Sequence, residues 1–194
     1  MTAGASSRRR DKQEGTTLVF KIIPVWKQVT PGLKVELVDF WRRHKAIGDP
    51  VEAAARTDQA VCIGRDADGA ICAVGTAMIR VLPRLLQPMY YFRLFFAKSM
   101  RGQKRMPAFF NSCREVLQAY NASLPARESL GVLIELESGF LSTFYKQAHV
   151  AEMNSTFIGY SLRGLQLRVS YFDDATLLQP VTPTGSTLTR VSRP

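Results

Sequence analysis

MYYFRLFFAKSMRGQKRMPAFFNSCREVLQAYN, residues 89–121, reads as a buried strand, a basic turn and an amphipathic helix. Tyr90 to Ala97 is apolar or aromatic apart from Arg93. A run that short suits a strand covered on both faces. Pro107 belongs in the first turn of a helix, where its missing N–H is not needed. Phe109, Phe110, Cys113, Val116, Leu117 and Tyr120 then recur at helical spacing and form one stripe facing a core. Between strand and helix lie Lys98, Arg101, Lys104 and Arg105, with no acidic residue among them. A turn that brings positive charge and backbone N–H groups to a helix N-terminus suits an anion. The expectation is a phosphorylated ligand at this turn.

The rest of the chain is consistent with that expectation. With 194 residues, 46% of them hydrophobic, it is long enough for one domain with a sizeable core. The formal net charge of +10 points to an anionic partner: a phosphorylated cofactor, nucleic acid, an anionic membrane or an acidic protein. Cys62, Cys72 and Cys113 sit in apolar surroundings without metal-ligand spacing, so they read as buried hydrophobes in a reducing compartment. No metal site is expected. Arg8, Arg9 and Arg10 are not followed by an apolar stretch of the secretory type. No run approaches the ~20 apolar residues that span a bilayer. A cytoplasmic protein is the expectation.

Outward from the central stretch, residues 1–15 read as a flexible basic arm. Thr17 to Ile23 reads as a first strand. Thr30-Pro31 marks a helix start, continued by Leu33, Leu37, Phe40 and Trp41. Arg42 to Lys45 end that helix with positive charge, His44 among them. Asp49-Pro50-Val51-Glu52 has the form of a capping box for a second short helix ending near Thr57. Ala60–Arg65 and Ala70–Val81 read as strands joined by the hairpin turn Asp66-Ala67-Asp68-Gly69. Pro83 and Pro88 bracket a loop.

After the central helix, Gly131 to Glu137 reads as a strand. Its alternation places Val132, Ile134 and Leu136 on one face and Leu133, Glu135 and Glu137 on the other. Burial raises a carboxylate's pKa and equips it as a general base, so Glu135 and Glu137 are candidate bases. Phe140 to Ala148 suits a short helix. Asn154–Arg163 and Leu165–Phe172 form a closing strand pair around Gly164. Residues 173–194 are rich in Thr, Pro, Ser and Gly and read as a tail on the surface or disordered.

This order of elements, over residues 16–172, resembles the GNAT superfamily of N-acyltransferases. AVCIGRDADGAICAVGTAMIR resembles the family's second and third strands. LFFAKSMRGQKRM resembles its fourth strand and acyl-CoA loop, and TFYKQAHV the Phe-Tyr segment after the fifth strand. The resemblance implies an α/β (α+β) fold with a mixed central sheet of six to seven strands flanked by about four helices. It implies acetyl-CoA or another acyl-CoA as co-substrate. The backbone of Phe95, Phe96 and Ala97 would follow the pantetheine arm. Arg101, Gly102, Gln103, Lys104, Arg105 and Met106 would form the pyrophosphate loop. Lys104 and Met106 stand where the family has small residues. Tyr145 falls at the position of the acid that protonates the leaving thiolate. His149 lies beside that segment without an assigned role.

The implied reaction is direct attack of an amine on a thioester. The acceptor would be a small-molecule or peptide amine. Two alternatives keep the fold: an acidic acyl carrier protein as donor, matched to the basic turn, and a fold that has lost catalysis and binds nucleic acid or a protein.

Overall fold

The computed structural model describes residues 20–102 and 105–180. The N-terminal arm, Gln103, Lys104 and the end of the tail lie outside the described residues. The chain runs β1 (Lys21–Pro24), α1 (Pro31–Arg43), α2 (Pro50–Thr57), β2 (Ala60–Arg65), β3 (Ile71–Leu82) and β4 (Gln87–Phe96). It continues through a 3-10 turn (Lys98–Met100), α3 (Met106–Ser123), β5 (Gly131–Glu135), α4 (Gly139–Phe144) and β6 (His149–Val150). After a second 3-10 turn it closes with β7 (Ser155–Tyr160) and β8 (Gln166–Tyr171). The strands form one eight-stranded sheet in the order β1-β2-β3-β4-β5-β8-β7-β6. All neighbours are antiparallel except β4 and β5, whose parallel pairing uses α3 as the crossover.

Local chemistry sets the helix starts. The Thr30 side chain accepts the Leu33 N–H at 3.2 Å, and Pro31 opens α1. The Asp49 carboxylate accepts the Val51 N–H at 2.9 Å, but the expected capping box is only half made. Glu52 turns away to pair with Arg56 and lies 3.7 Å from Arg93. The β2–β3 turn is closed by Asp66, which accepts from the N–H groups of Asp68 and Ala70, and Gly69 takes a φ of +79°.

Three expectations are corrected. Among the described residues the sheet has eight strands rather than six or seven, because the two-residue β6 adds an edge strand. Pro88 belongs to β4 and not to the loop; it is the second residue of the strand and precedes the point where β5 joins at Tyr90. The helix expected to Ala148 stops at Phe144. Arg168 there takes the carbonyls of Tyr145 and Gln147 at 2.8 and 2.7 Å, so they are not offered to a further helical turn. Apart from these corrections, the described start of the tail lies against the domain: Gln87 and Leu178 exchange two hydrogen bonds of 2.9 Å, and Asp173 pairs with Arg114.

The core has two main faces. Phe109, Phe110, Cys113 and Leu117 of α3 pack on one face of the sheet with Phe92, Val132 and Leu136. Leu37, Phe40 and Trp41 of α1 pack on the other with Ile63 and Val74. Val116 and Tyr120 of the expected α3 stripe lie at the margin of the first cluster.

Candidate active site

The sheet is held together at its middle by three residue pairs. Tyr90, Tyr91 and Phe92 of β4 face Val132, Leu133 and Ile134 of β5. Beyond Phe92, β4 continues along β3 as far as Phe96, while β5 continues along β8. The two strands therefore part at their C-terminal ends. Four residues of β4, Arg93 to Phe96, have no strand on that side among the described residues, an edge of about 13 Å at the usual rise. A crevice outside the carboxyl ends of parallel strands is where open α/β sheets hold ligands.

Alternation decides which peptide groups face the gap. Pro88 O accepts from Leu130 and Tyr90 N–H donates to the Ser129 hydroxyl, so even-numbered residues of β4 turn toward β5. Ala97 N–H donates to Cys72 O on β3 at 2.8 Å. Of the three positions expected along the ligand, Phe96 thus turns its peptide groups to the gap, while Phe95 turns its groups and Ala97 its N–H to β3, the Ala97 carbonyl accepting from Met100 N–H. Leu94, which sequence reasoning missed, joins Phe96 there. The resemblance implied three consecutive residues, whereas a strand turns alternate peptide groups to one side.

The basic turn closes the mouth of the gap. Arg101 Nε donates to Phe96 O at 3.1 Å, and its guanidinium lies 5.3 Å from the Phe95 ring. Gly102 has a φ of +78° with open space where a Cβ would stand. Arg105 precedes the first turn of α3, which holds no acidic residue. Met106 is the first residue of α3, and its side chain packs against the core. Positive charge gathers nearby: His44 is shifted below its ordinary pKa by burial and by Arg43, Arg101 and Lys98.

The carboxylates divide. Burial pushes the Glu135 carboxyl up, but hydrogen bonds from Arg163, Ser161 and Tyr91 outweigh it and bring the pKa down to about 2. Tyr91 donates at 2.6 Å and Arg163 at 2.7 Å. The expected upward shift is thus reversed, because sequence alone did not show that the β7–β8 turn delivers Arg163. The same guanidinium reaches Glu137 at 3.1 Å, and Glu137 is exposed.

Tyr145 is buried in the cluster that contains Phe92, Ile134 and Leu136, the residues at the point where β4 and β5 part. Burial, and then Glu152, raise its pKa, while Arg168 opposes them. Its phenol stays protonated at neutral pH. Arg168 itself was not foreseen: it is 1% exposed, and its Nε and Nη1 are buried without a partner among the described residues. His149 stands apart from this arrangement; its Nδ1 lies 3.0 Å from the Thr156 hydroxyl across the β6–β7 pair.

Among the described residues no group of His, Cys, Asp or Glu has the arrangement of a metal site, and no helix is long and apolar enough to cross a membrane. No protein-family profile matches the chain, and no curated protein matches it by sequence. Solved structures do. A GNAT-family acetyltransferase from Streptococcus pneumoniae superposes with a TM-score of 0.52 at 11% identity, covering 79% of this chain and 100% of that one. A GNAT-superfamily phosphinothricin acetyltransferase from Sinorhizobium meliloti, solved with AcCoA, gives 0.49 at 11% identity over 87% of this chain and 97% of that one. Spermidine N-acetyltransferase from Vibrio cholerae gives 0.46 at 9% identity over 80% and 92%. The first of these carries the assignment. The chain shares the overall fold of that acetyltransferase, the GNAT fold.

Proposed function

We propose that the protein is an N-acyltransferase that moves an acyl group, acetyl in the simplest case, from a CoA thioester to an amine. The observation that carries this reading is the parting of β4 from β5, with the peptide groups of Leu94 and Phe96 turned into the gap and the basic turn at its mouth. A pantetheine arm carries amides that add to such an edge as a strand would. Its pyrophosphate would meet Arg101, the backbone about Gly102 and the start of α3. Lys104 and Arg105 add charge of the right sign to that loop.

In this reaction the amine nitrogen attacks the thioester carbonyl and forms the new C–N bond. The C–S bond then breaks, and Tyr145 gives its phenolic proton to the departing sulfur. The ammonium proton leaves to Glu137, directly or through water. Glu135, ionised and already bonded by Tyr91 and Arg163, is a poor proton acceptor; its part is to hold those two side chains beside the gap.

Calorimetric titration with acetyl-CoA and a longer acyl-CoA tests the reading. Micromolar binding is expected, weakened about ten-fold in Arg101→Ala, the equivalent of about 1.4 kcal/mol. Absence of binding to either thioester would sink it.

A further inference from the structure

A second opening meets the same gap from the α1–α2 side of the sheet, a cleft of about 80 Å³. Arg93, Leu94 and Phe95 line it from β4, and Glu137 from beyond β5. Its walls are apolar at Trp41, Ile47 and Val74, and Arg56 enters from α2. Taking about 30 Å³ for each water in the liquid, the volume is that of about three waters. That is room for a carboxylate and a short carbon chain.

The charges in the cleft are unevenly matched. Arg56 and Arg93 both lean on Glu52. Arg56 hydrogen-bonds it, but Arg93 lies 3.7 Å away, beyond hydrogen-bond reach. The Nε of Arg93 is buried without a partner among the described residues. Burial and the charge of Arg93 both depress the Arg56 pKa, against the pull of Glu52. Two guanidinium groups crowd one carboxylate, and a donor is left over. Glu137 brings the opposite charge to the same cleft, steadied by Arg163.

Building on the acyl-transfer reading, we propose that the acceptor is a small amine that also carries a carboxylate, of the free α-amino acid class. Its carboxylate binds Arg93 and Arg56, and its amine is presented at Glu137 beside the gap. A guanidinium is suited to a carboxylate by its planar fork of donors. A polyamine would set its cations against two arginines. An amino acid ester would offer the two guanidinium groups no charge to pair with, and so would lose the charge-assisted hydrogen bonds of the acid.

The test uses the full chain with acetyl-CoA and follows thiol release. The acceptors are L-alanine, L-serine, L-methionine and L-aspartate, the methyl esters of the first three, and spermidine. At least one free acid is expected to be acetylated, with kcat/KM at least ten-fold above its ester. Arg93→Met is expected to raise KM for that acid at least ten-fold and to leave the Kd of acetyl-CoA unchanged. Arg56→Met, on the helix rather than the sheet, repeats the test should the strand variant fold poorly. The CoA-loaded protein should also melt higher with the free acid than with its ester. Equal use of ester and acid, preference for spermidine, an unmoved KM in Arg93→Met, or no reaction and no melting shift with any free acid overturns the proposal. Failure to bind acetyl-CoA at all would instead strike the acyl-transfer reading beneath it.

Discussion

Glu135 and Arg168 show opposite ways of keeping a charge inside this sheet. Glu135 is surrounded by donors, and its folded pKa of about 2 lies below the ordinary carboxylate value. Its stabilising contribution is therefore complete above the unfolded pKa and is lost as pH falls through the folded one. Wild type is expected to exceed Glu135→Gln in urea stability by a constant margin above about pH 5, and that margin should shrink toward pH 2. A margin that does not change over this range would show that the carboxylate is not held ionised by the fold. Arg168 has no carboxylate partner among the described residues; two backbone carbonyls take its Nη2, and burial pulls its pKa down. Arg168→Met removes an expensive buried charge together with two hydrogen bonds. Global stability should move by less than about 1 kcal/mol. The segment Tyr145 to Gln147 should loosen, seen as faster amide exchange there and a lower kcat. Unchanged exchange would mean that Arg168 does not fasten this segment.

Elements in this fold depend on a few side chains at their ends. Asn121, in the last turn of α3, is 3% exposed. It accepts from Glu128 N–H and Ser129 N–H at 3.0 and 3.1 Å and donates to Ser129 O at 3.0 Å. It thereby fixes the loop that launches β5 next to β4. Asn121→Ala is expected to cost about 3 kcal/mol in denaturant unfolding, since the buried groups it served lose their partners. A cost within 0.5 kcal/mol, the usual range for a surface change, would refute that role. The elements themselves were largely legible, because hydrophobic period, proline and capping residues are local signals. Thr30, Asp49, Gly69 and Pro107 mark their starts and turns where expected. What was not legible came from long-range partners. Glu52 chose Arg56 over its own helix cap, Arg168 cut α4 short, and Arg163 reversed the shift at Glu135. A charged residue's role depends on what the fold brings against it, and no window of sequence contains that. The same holds for the cleft, whose arginines come from α2 and β4, about 37 positions apart in the numbering.

At the scale of the molecule, the half-sheets β1–β4 and β5–β8 meet at three parallel residue pairs and under α3. A ligand laid in the gap would contact both halves, and binding to the folded state alone raises stability by mass action. At a concentration 100 times its Kd, acetyl-CoA should add about 2.7 kcal/mol. For a chain of this size that is a rise in Tm of roughly 5–10 °C. The location of the effect is more telling than its size. The N–H groups of Leu94 and Phe96 face the gap, whereas that of Ala97 is already bonded to Cys72. Acetyl-CoA should therefore slow amide exchange at Leu94 and Phe96 far more than at Phe95 and Ala97, where β3 gives protection beforehand. An alternating pattern would fix the ligand along the open edge of β4. Uniform protection of all four would indicate general tightening from a site elsewhere, and the gap would lose its claim to the thioester.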